Sequence, residues 1–340
     1  MFQRILVPLD GSHRAEHAIP VAAHLARVAQ GSIVFLRVVV PGHEIGLYGA
    51  GPEVEAIPTL LETQCAEADA YLSSTVTAFR DDLSGIKTET AIETGATAST
   101  IVSAVRFVHG DLIVLCSHGD TGLKGWVFNS IAVQAARHSP VPVLILNEHD
   151  AVHPLEQLVQ PLHVLVPLDG SVLAETALTS VTQLVTALTP TGTGVLHLLR
   201  VVDVPVLNGS MRDLARVDAL ARQHAIREAQ MYLDTVVQRL QEANQASSQL
   251  SFTTSVILSP DIAGTIIEQA EARHCDLIAL ATHGRGALMR LLMGSITERI
   301  IGHTTLPLLV TRPPKPIVEQ KQVHDPLENE QELSSWVGLL

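Results

Sequence analysis

The residues best suited to hold an anion lie in a glycine-containing segment of the second half of the chain. Gly284 and Arg285 come first, and nine residues separate Gly284 from Gly294, which precedes Ser295 and Ile296 at the start of a predicted helix. Glycine allows close backbone approach and positive φ. Free N–H groups and the dipole at a helix N-terminus attract negative charge, and a serine there can cap the helix or donate to a phosphate. The segment carries neither a Walker motif nor the Rossmann Gly-x-Gly-x-x-Gly.

A second chemically useful residue, Asp169, closes a short apolar run that occurs twice. Leu-Val-Pro-Leu-Asp-Gly-Ser stands at 6–12 and again at 165–171, so that Asp169 follows Asp10 by 159 positions. Asp-Leu-Ile-Val-Leu-Cys-Ser-His-Gly at 111–119 is answered at 276–284 by a close copy, 165 positions further on. Nearly constant offsets predict a duplicated domain with a few residues inserted in the second copy. Each half is therefore an internal control for the other.

The elements that position these residues alternate between strand and helix patterns in both halves. Short apolar runs near residues 3–10, 32–40, 87–93, 111–116 and 141–147 predict strands, and helical periodicity fills the intervals. Such alternation predicts right-handed crossovers and a parallel sheet, whose ligands bind beyond the carboxyl ends of the strands. We expect domains at 1–147 and 161–313, and a polar acidic tail at 314–340.

Composition narrows the class of protein. The 340 residues are 46% hydrophobic with 3% aromatic residues, which is typical of Val, Leu, Ile and Ala strands buried on both faces. A net charge of −13 disfavours nucleic-acid binding through phosphate attraction. No apolar stretch reaches the roughly 18 residues of a membrane span, and no signal peptide is visible. Three cysteines without metal spacing predict buried reduced thiols in a cytoplasmic protein.

Together these motifs resemble the universal stress protein family, over about 3–147 and 163–312. ATP-binding members carry Gly-x2-Gly-x9-Gly-Ser/Thr after the fourth strand, an Asp ending the first strand and a Val ending the second. The second half departs from this pattern at one position, Ala281. The resemblance implies that Asp169 and the Val201 backbone hold adenine and ribose. It assigns the phosphates to Gly284, Arg285, Gly294, Ser295 and Ile296.

The same resemblance implies a fold and an assembly. Each half is expected to form a doubly wound five-stranded parallel sheet of the adenine nucleotide alpha hydrolase type, with strand order 3-2-1-4-5. Family members that bind ATP pair through the fifth strand, so the two halves are expected to pair within one chain as a pseudo-dimer. Such pairing would cover two edge strands. A further homodimer is left open.

The first half departs further from the ATP-binding pattern. Gly119 is kept, but Cys116 and Asn129 replace the other two glycines, with Ser130 following, and Asp120 stands where the second half has Arg285. An asparagine side chain fills space that glycine leaves free, and an aspartate repels phosphate. Asp10 and Val38 remain, so an adenosine-sized ligand is still conceivable. We expect a weakened or empty first site.

Structural explanations compete with these functional ones. Asp10 and Asp169 can cap the turn that follows them, as Asp-Gly-Ser sequences often do. His118 and His283 are interpreted as neutral residues that brace their loops, since neither has an evident carboxylate partner. His13 and His17 have a metal-binding spacing but lack further ligands in register, which favours a solvated helix face.

The resemblance implies a non-catalytic ATP-binding stress-response protein, with ATP, alone or with Mg²⁺, as its cofactor. A very slow ATPase or phosphotransferase is a second hypothesis, for which the sequence offers one phosphate-clamping cation, Arg285, and no evident base. A nucleotide-free stress protein that binds another ligand or partner is a third. Neither a nucleic acid nor a membrane is an expected partner.

Overall fold

The computed structural model of the protein describes residues 2–41, 57–116, 131–147, 161–189, 193–203, 212–244, 250–282 and 294–312. Strands and helices alternate through both halves, which confirms the predicted α/β class. The elements of the first half are β1 (Arg4–Leu9), α1 (His13–Glu16), α2 (Ala18–Ala29), β2 (Ser32–Val39), α3 (Ile57–Ala78), β3 (Lys87–Thr94), α4 (Thr97–Phe107), β4 (Leu112–Cys116), α5 (Ile131–His138) and β5 (Val143–Leu146).

The second half repeats this alternation. Its elements are β6 (Leu162–Pro167), α6 (Val172–Leu188), β7 (Gly194–Val202), α7 (Arg212–Ala243), β8 (Leu250–Leu258), α8 (Ile262–Ala272), β9 (Leu277–Ala281), α9 (Ser295–His303) and β10 (Leu308–Thr311). No helix in the described ranges is long and apolar enough to cross a membrane.

The strands form a single sheet of ten, in the order β3-β2-β1-β4-β5-β10-β9-β6-β7-β8. Neighbours within each half run parallel, whereas β5 and β10 pair antiparallel where the halves meet, with Leu144 opposite Leu309. No local sequence pattern predicts this strand-by-strand register. In each half, strands are added to the sheet on both sides of the first strand. The direction of strand order reverses between β1 and β4 in the first half and between β6 and β9 in the second.

The hydrophobic core lies on both faces of this sheet, because the strands are buried on both sides. One cluster packs α2, α3, α6 and α7 on one face, with Leu25, Leu72, Leu184 and Leu233 among its fully buried side chains. The other packs α4, α5, α8 and α9 on the opposite face. Both clusters contain residues of both halves, so the core continues through the junction.

Polar contacts also cross the junction. Arg137 of α5 donates to Glu298 of α9, and both side chains are largely buried. The amide nitrogen of buried Asn147 donates to the carbonyl oxygens of Thr304 and Leu306, 3.3 and 2.9 Å away. The halves therefore share a sheet, a core and a polar seam.

The aspartates that open the repeated fourth-strand motif have a structural role. Asp111 accepts from the backbone N–H groups of Gln3 and Arg4 at 2.9 and 3.1 Å, and Asp276 accepts from that of His163 at 2.8 Å. Each carboxylate ties the start of the fourth strand to the start of the first. These aspartates lie at the amino edge of the sheet, opposite the edge where a ligand is expected.

Two local predictions were wrong. The helical periodicity in the interval between the first two predicted strands predicts one helix, but the structure has two, α1 and α2. Pro20 has no N–H to donate to the Glu16 carbonyl, and its ring crowds that oxygen. In the second half Thr179 takes the place of Pro20, and α6 is continuous.

Of the three cysteines, which were all predicted to be buried, Cys275 is buried, whereas Cys65 and Cys116 are partly exposed.

Candidate functional site

The first strand of each half ends in a tight Asp-Gly-Ser turn with the same hydrogen bonds. Asp169 Oδ1 accepts from the backbone N–H of Ser171 at 2.9 Å, and Asp10 Oδ1 accepts from that of Ser12 at 2.9 Å. Each serine then caps the following helix by accepting from the N–H three residues later. Gly170, between Asp169 and Ser171, has φ 79°, a backbone conformation that favours glycine. The capping role considered for both aspartates is therefore present in the structure.

The helix N-terminus predicted to bind an anion is present in the second half. Helix α9 begins at Ser295, and Gly294 is its N-cap, without a side-chain hydrogen bond. The backbone N–H of Gly294 donates to the carbonyl of Thr282 at 2.9 Å, which returns the chain to the end of β9. The first N–H groups of a helix have no intrahelical acceptor and carry the positive end of the dipole. The Ser295 and Ile296 N–H groups are in this position.

Sheet topology brings the two motifs to one edge. Strand β6, which leads to Asp169, pairs in parallel with β9, which leads to Thr282 and Gly294. On its other side β6 pairs with β7, which contains Val201. Because parallel strands end at the same edge, Asp169 and the start of α9 flank the point between β6 and β9 where the strand order reverses. This is where a doubly wound sheet binds its ligands.

The structure corrects two details at the start of α9. Ser295 was considered as an N-cap, but it is the first helical residue, and Gly294 is the cap. Positive φ was a suggested use of the glycines, but Gly294 has φ −62°. A Cβ added to Gly294 would approach the Thr282 carbonyl oxygen to 3.5 Å, an ordinary contact. Glycine is thus not needed there for the fold.

The remaining predicted site residues fall in two groups. In the first half, Asp10 and Val38 are described, at the carboxyl ends of β1 and β2. The others lie outside the described residues, and their roles stay predictions: Gly119, Asp120, Asn129, Ser130, Gly284 and Arg285. His118 and His283 also lie outside the described residues.

Sequence reasoning missed a charged cluster behind each aspartate. Arg37 of β2 donates to the Leu9 carbonyl at 3.3 Å, and Arg200 of β7 donates to the Leu168 carbonyl at 3.2 Å. Tyr71 and Tyr232 complete the clusters from helices α3 and α7. The signal was available, since Arg200 follows Arg37 by 163 positions and Tyr232 follows Tyr71 by 161, close to the repeat offset.

Electrostatics at the first-half turn favour an ionised carboxylate. Burial acts to raise the pKa of Asp10, but hydrogen bonds from Ser12 and the charge of Arg37 outweigh it, so that the pKa lies below its usual value. The Ser12 hydroxyl donates to Asp10 Oδ1 at 2.6 Å. The turn therefore presents an acceptor that carries a full negative charge.

His13, one of the two histidines considered as metal ligands, is the first residue of α1. His13 is fully exposed and pairs with Glu16 at 3.1 Å, in keeping with a solvated helix face. Across the described part of the chain, no cluster of three or more His, Cys, Asp or Glu residues is placed to hold a metal ion.

Comparison with known proteins gives one family. The model of the universal stress protein family matches residues 1–147 and again 162–312. A universal stress protein from Mycolicibacterium smegmatis is 23% identical over 312 residues, covering 91% of this chain and 97% of the relative. One from Methanocaldococcus jannaschii is 26% identical over 148 residues, covering 44% of this chain and 84% of the relative.

Solved structures share the fold over nearly the whole chain. A universal stress protein from Archaeoglobus fulgidus has 20% identity and a TM-score of 0.58, covering 92% of this chain and 97% of its own. A putative universal stress protein from Pseudomonas aeruginosa has 16% identity and a TM-score of 0.59, covering 92% and 94%. At these identities the likeness concerns the fold.

Proposed function

The chain belongs to the universal stress protein family, and we propose that it is a non-catalytic, ATP-binding protein of the stress response whose nucleotide is held mainly by the second half. The observation that carries this proposal is the placement of Asp169 and the start of α9 at the ends of adjacent parallel strands. A negative acceptor and a positively polarised helix end suit the two ends of a nucleotide.

The phosphate end of the proposed site is formed by backbone groups. The N–H groups of Ser295 and Ile296 and the dipole of α9 would bind phosphate oxygens, and the Ser295 hydroxyl would donate to them. Gly294 leaves the approach to this helix end free of a side chain. Gly284 and Arg285 would complete the cradle, with Arg285 adding a fixed positive charge.

The nucleoside end is formed by Asp169 and the second strand. One carboxylate oxygen of Asp169 accepts from Ser171. A carboxylate has further acceptor capacity, which suits the hydroxyls of a ribose. The Val201 backbone would hold the adenine, as the family resemblance implies. If Mg²⁺ accompanies the nucleotide, Asp169 and Ser295 would be its candidate oxygen ligands.

The first half is proposed to bind nucleotide weakly or not at all. It keeps Asp10 and Val38, but Asp120 replaces the arginine and Asn129 replaces the helix-opening glycine. We propose that the domains comprise 1–147 and 161–313, followed by a tail at 314–340, and act as an intrachain pseudo-dimer. Nucleotide occupancy of the second half would then bias a surface recognised by a partner.

Two measurements test this function. The purified chain is denatured, and any released small molecule is identified by mass. We expect adenine nucleotide, and its absence, together with no calorimetric binding of added ATP, would favour the nucleotide-free alternative. Release of labelled phosphate from ATP is then followed. Turnover on the order of 1 s⁻¹ or more, abolished by Asp169→Ala, would instead favour the phosphotransfer alternative.

A further inference from the structure

An arginine, a tyrosine and a glutamate form the same cluster in each half, behind the first-strand aspartate. We call these the Arg–Tyr–Glu clusters: Arg37, Tyr71 and Glu16 in the first half, and Arg200, Tyr232 and Glu175 in the second. Tyr71 Oη donates to Glu16 Oε1 at 3.0 Å, and Tyr232 Oη donates to Glu175 Oε1 at 3.0 Å. The hydrogen bond between tyrosine and glutamate is therefore the same in both halves, although their sequences have diverged elsewhere.

The arginine of each cluster supports the turn that carries the aspartate. Its guanidinium reaches from the second strand to the carbonyl that precedes the aspartate, Leu9 or Leu168. In the first half a Cβ added to Gly11 would lie 3.5 Å from Arg37 Nη2, so the guanidinium packs directly against the turn. A permanently charged group in this place fixes the backbone of the turn, and in the first half its charge also helps to lower the pKa of Asp10.

In the first half the tyrosine ring lies against the arginine, and the glutamate accepts a hydrogen bond from the tyrosine. The Arg37 guanidinium carbon lies 5.9 Å from the centre of the Tyr71 ring. Burial, followed by the hydrogen bond to Glu16, raises the pKa of Tyr71 to about 12, so the phenol stays protonated and keeps donating. Burial and the neighbouring Glu175 likewise raise the pKa of Tyr232. Glu175 also accepts from Arg239 at 2.7 Å, which joins α6 to α7.

We propose that Arg200 is a positioning residue for nucleotide binding, which fixes the turn that carries Asp169 and so orients its carboxylate toward the ligand hydroxyls. This inference rests on the proposed function of the same site. Arg37 makes the same hydrogen bond beside Asp10, but its half lacks the glycine and the arginine at the phosphate end. Arg37 therefore supplies structural support alone, and it is the matched control for Arg200.

The experiment compares Arg200→Met with Arg37→Met by calorimetric titration of the full chain with ATP. Methionine keeps much of the apolar stem and removes the charge and the hydrogen bond, so both variants should lose similar thermal stability. We expect Arg200→Met to weaken ATP binding about tenfold, and Arg37→Met to leave it within about twofold. Arg200→Lys keeps the charge without the planar fork and should give an intermediate affinity.

A double-mutant cycle separates positioning from a general weakening of the half. In an Asp169→Asn background, Arg200→Met should cause no further loss, because its effect acts through the carboxylate. Unaltered binding by Arg200→Met, or an equal loss in the Asp169→Asn background, would overturn this inference while leaving the proposed function in place. Failure of the unmodified chain to bind ATP would overturn both.

Discussion

The two halves agree at the end of the first strand and differ where the phosphates of a nucleotide would lie. Both keep the Asp-Gly-Ser turn and the Arg–Tyr–Glu cluster with nearly equal distances. They differ in the segment after the fourth strand, where Asp120 and Asn129 stand against Arg285 and Gly294. A duplicated frame can thus retain the parts that build it, while the residues proposed to bind the phosphates diverge.

A second difference between the halves lies on the face of the sheet that packs against α4 in the first half and against α8 in the second. In the first half a cavity of about 500 Å³ opens there, lined among others by Arg4, Glu89 and Phe107, with Phe107 82% exposed. In the second half His197 occupies the register position of Val34. Its ring nitrogens lie 2.7 and 2.8 Å from the hydroxyls of Thr253 and Ser255. One half has an open groove where the other has a buried polar group.

The largest expected effect is on the pH dependence of the free energy of unfolding, and it follows from His197. Burial, helped by the charge of Arg273, lowers the pKa of His197 from 6.5 to about 4. The neutral folded form is therefore favoured above pH 6.5, and this stability is lost as pH falls from 6.5 to 4. His197→Val, which copies Val34, should remove on the order of 2 kcal/mol of the acid-induced loss in free energy of unfolding. Urea denaturation at pH 7 and pH 4.5 measures the loss.

The matched variant Val34→Ala tests whether any core change at this position alters acid sensitivity. It should lower stability equally at both pH values, since it titrates nothing. Equal acid sensitivity of the unmodified chain and His197→Val would show that His197 does not titrate in this window.

The next largest effect is expected at the phosphate end. Gly294→Asn, which copies the first half, should weaken ATP binding tenfold or more, because the side chain fills the approach to the helix end. Since Gly294 has φ −62° and room for a Cβ, the fold should tolerate the change. Titration calorimetry measures the affinity, and circular dichroism with a thermal scan checks the fold. Full affinity in Gly294→Asn would contradict the assignment.

The reverse exchange sharpens the same comparison. Asn129→Gly combined with Asp120→Arg gives the first half the phosphate-end residues of the second, on a frame that already has Asp10 and Arg37. We expect ATP stoichiometry to rise from one toward two per chain, with the new site about tenfold weaker because Cys116 is larger than Ala281, which stands at the same position of the second half. Asp120→Arg by itself is the control for charge alone. An unchanged stoichiometry would mean that the first half lacks more than these two residues.

The smallest effect is expected at the seam between the halves. Glu298→Gln removes the charge that pairs with Arg137, where the two side chains are 18% and 23% exposed. It should lower the free energy of unfolding by about 1 kcal/mol. Glu89→Gln, in a more exposed pair within the first half, should have a smaller effect. Equal losses in the two variants, measured by urea denaturation, would indicate that the seam adds nothing particular.

Much of the fold was predictable because its signals are local. Apolar runs and helical periodicity placed the strands and helices to within a few residues, and the repeat predicted the duplication. The break before α2 was missed, although Pro20 alone explains it, because the periodicity continues across the break. The junction depends on hydrogen bonds between β5 and β10, about 160 residues apart in the chain, and no local pattern specifies such a register.

The sequence showed the motifs of the proposed site, but it did not show the residues that support them. Asp169 and Gly294 stand out by residue type and spacing. Arg200 and Tyr232 do not, because an arginine in a strand and a tyrosine in a long helix are ordinary until the fold brings them together. The repeat offset was the one available sequence signal. The capping residue of α9 also shifted by one position, which a sequence cannot fix.

We propose that the second half of this duplicated chain binds nucleotide strongly and that the first half binds it weakly or not at all. Calorimetric titration of the unmodified full-length chain with ATP tests it most directly, because stoichiometry counts the competent halves. We predict one strong site per chain, lost in Asp169→Ala and retained in Asp10→Ala. Two equal sites per chain, or a single site that Asp10→Ala removes and Asp169→Ala leaves intact, would contradict it.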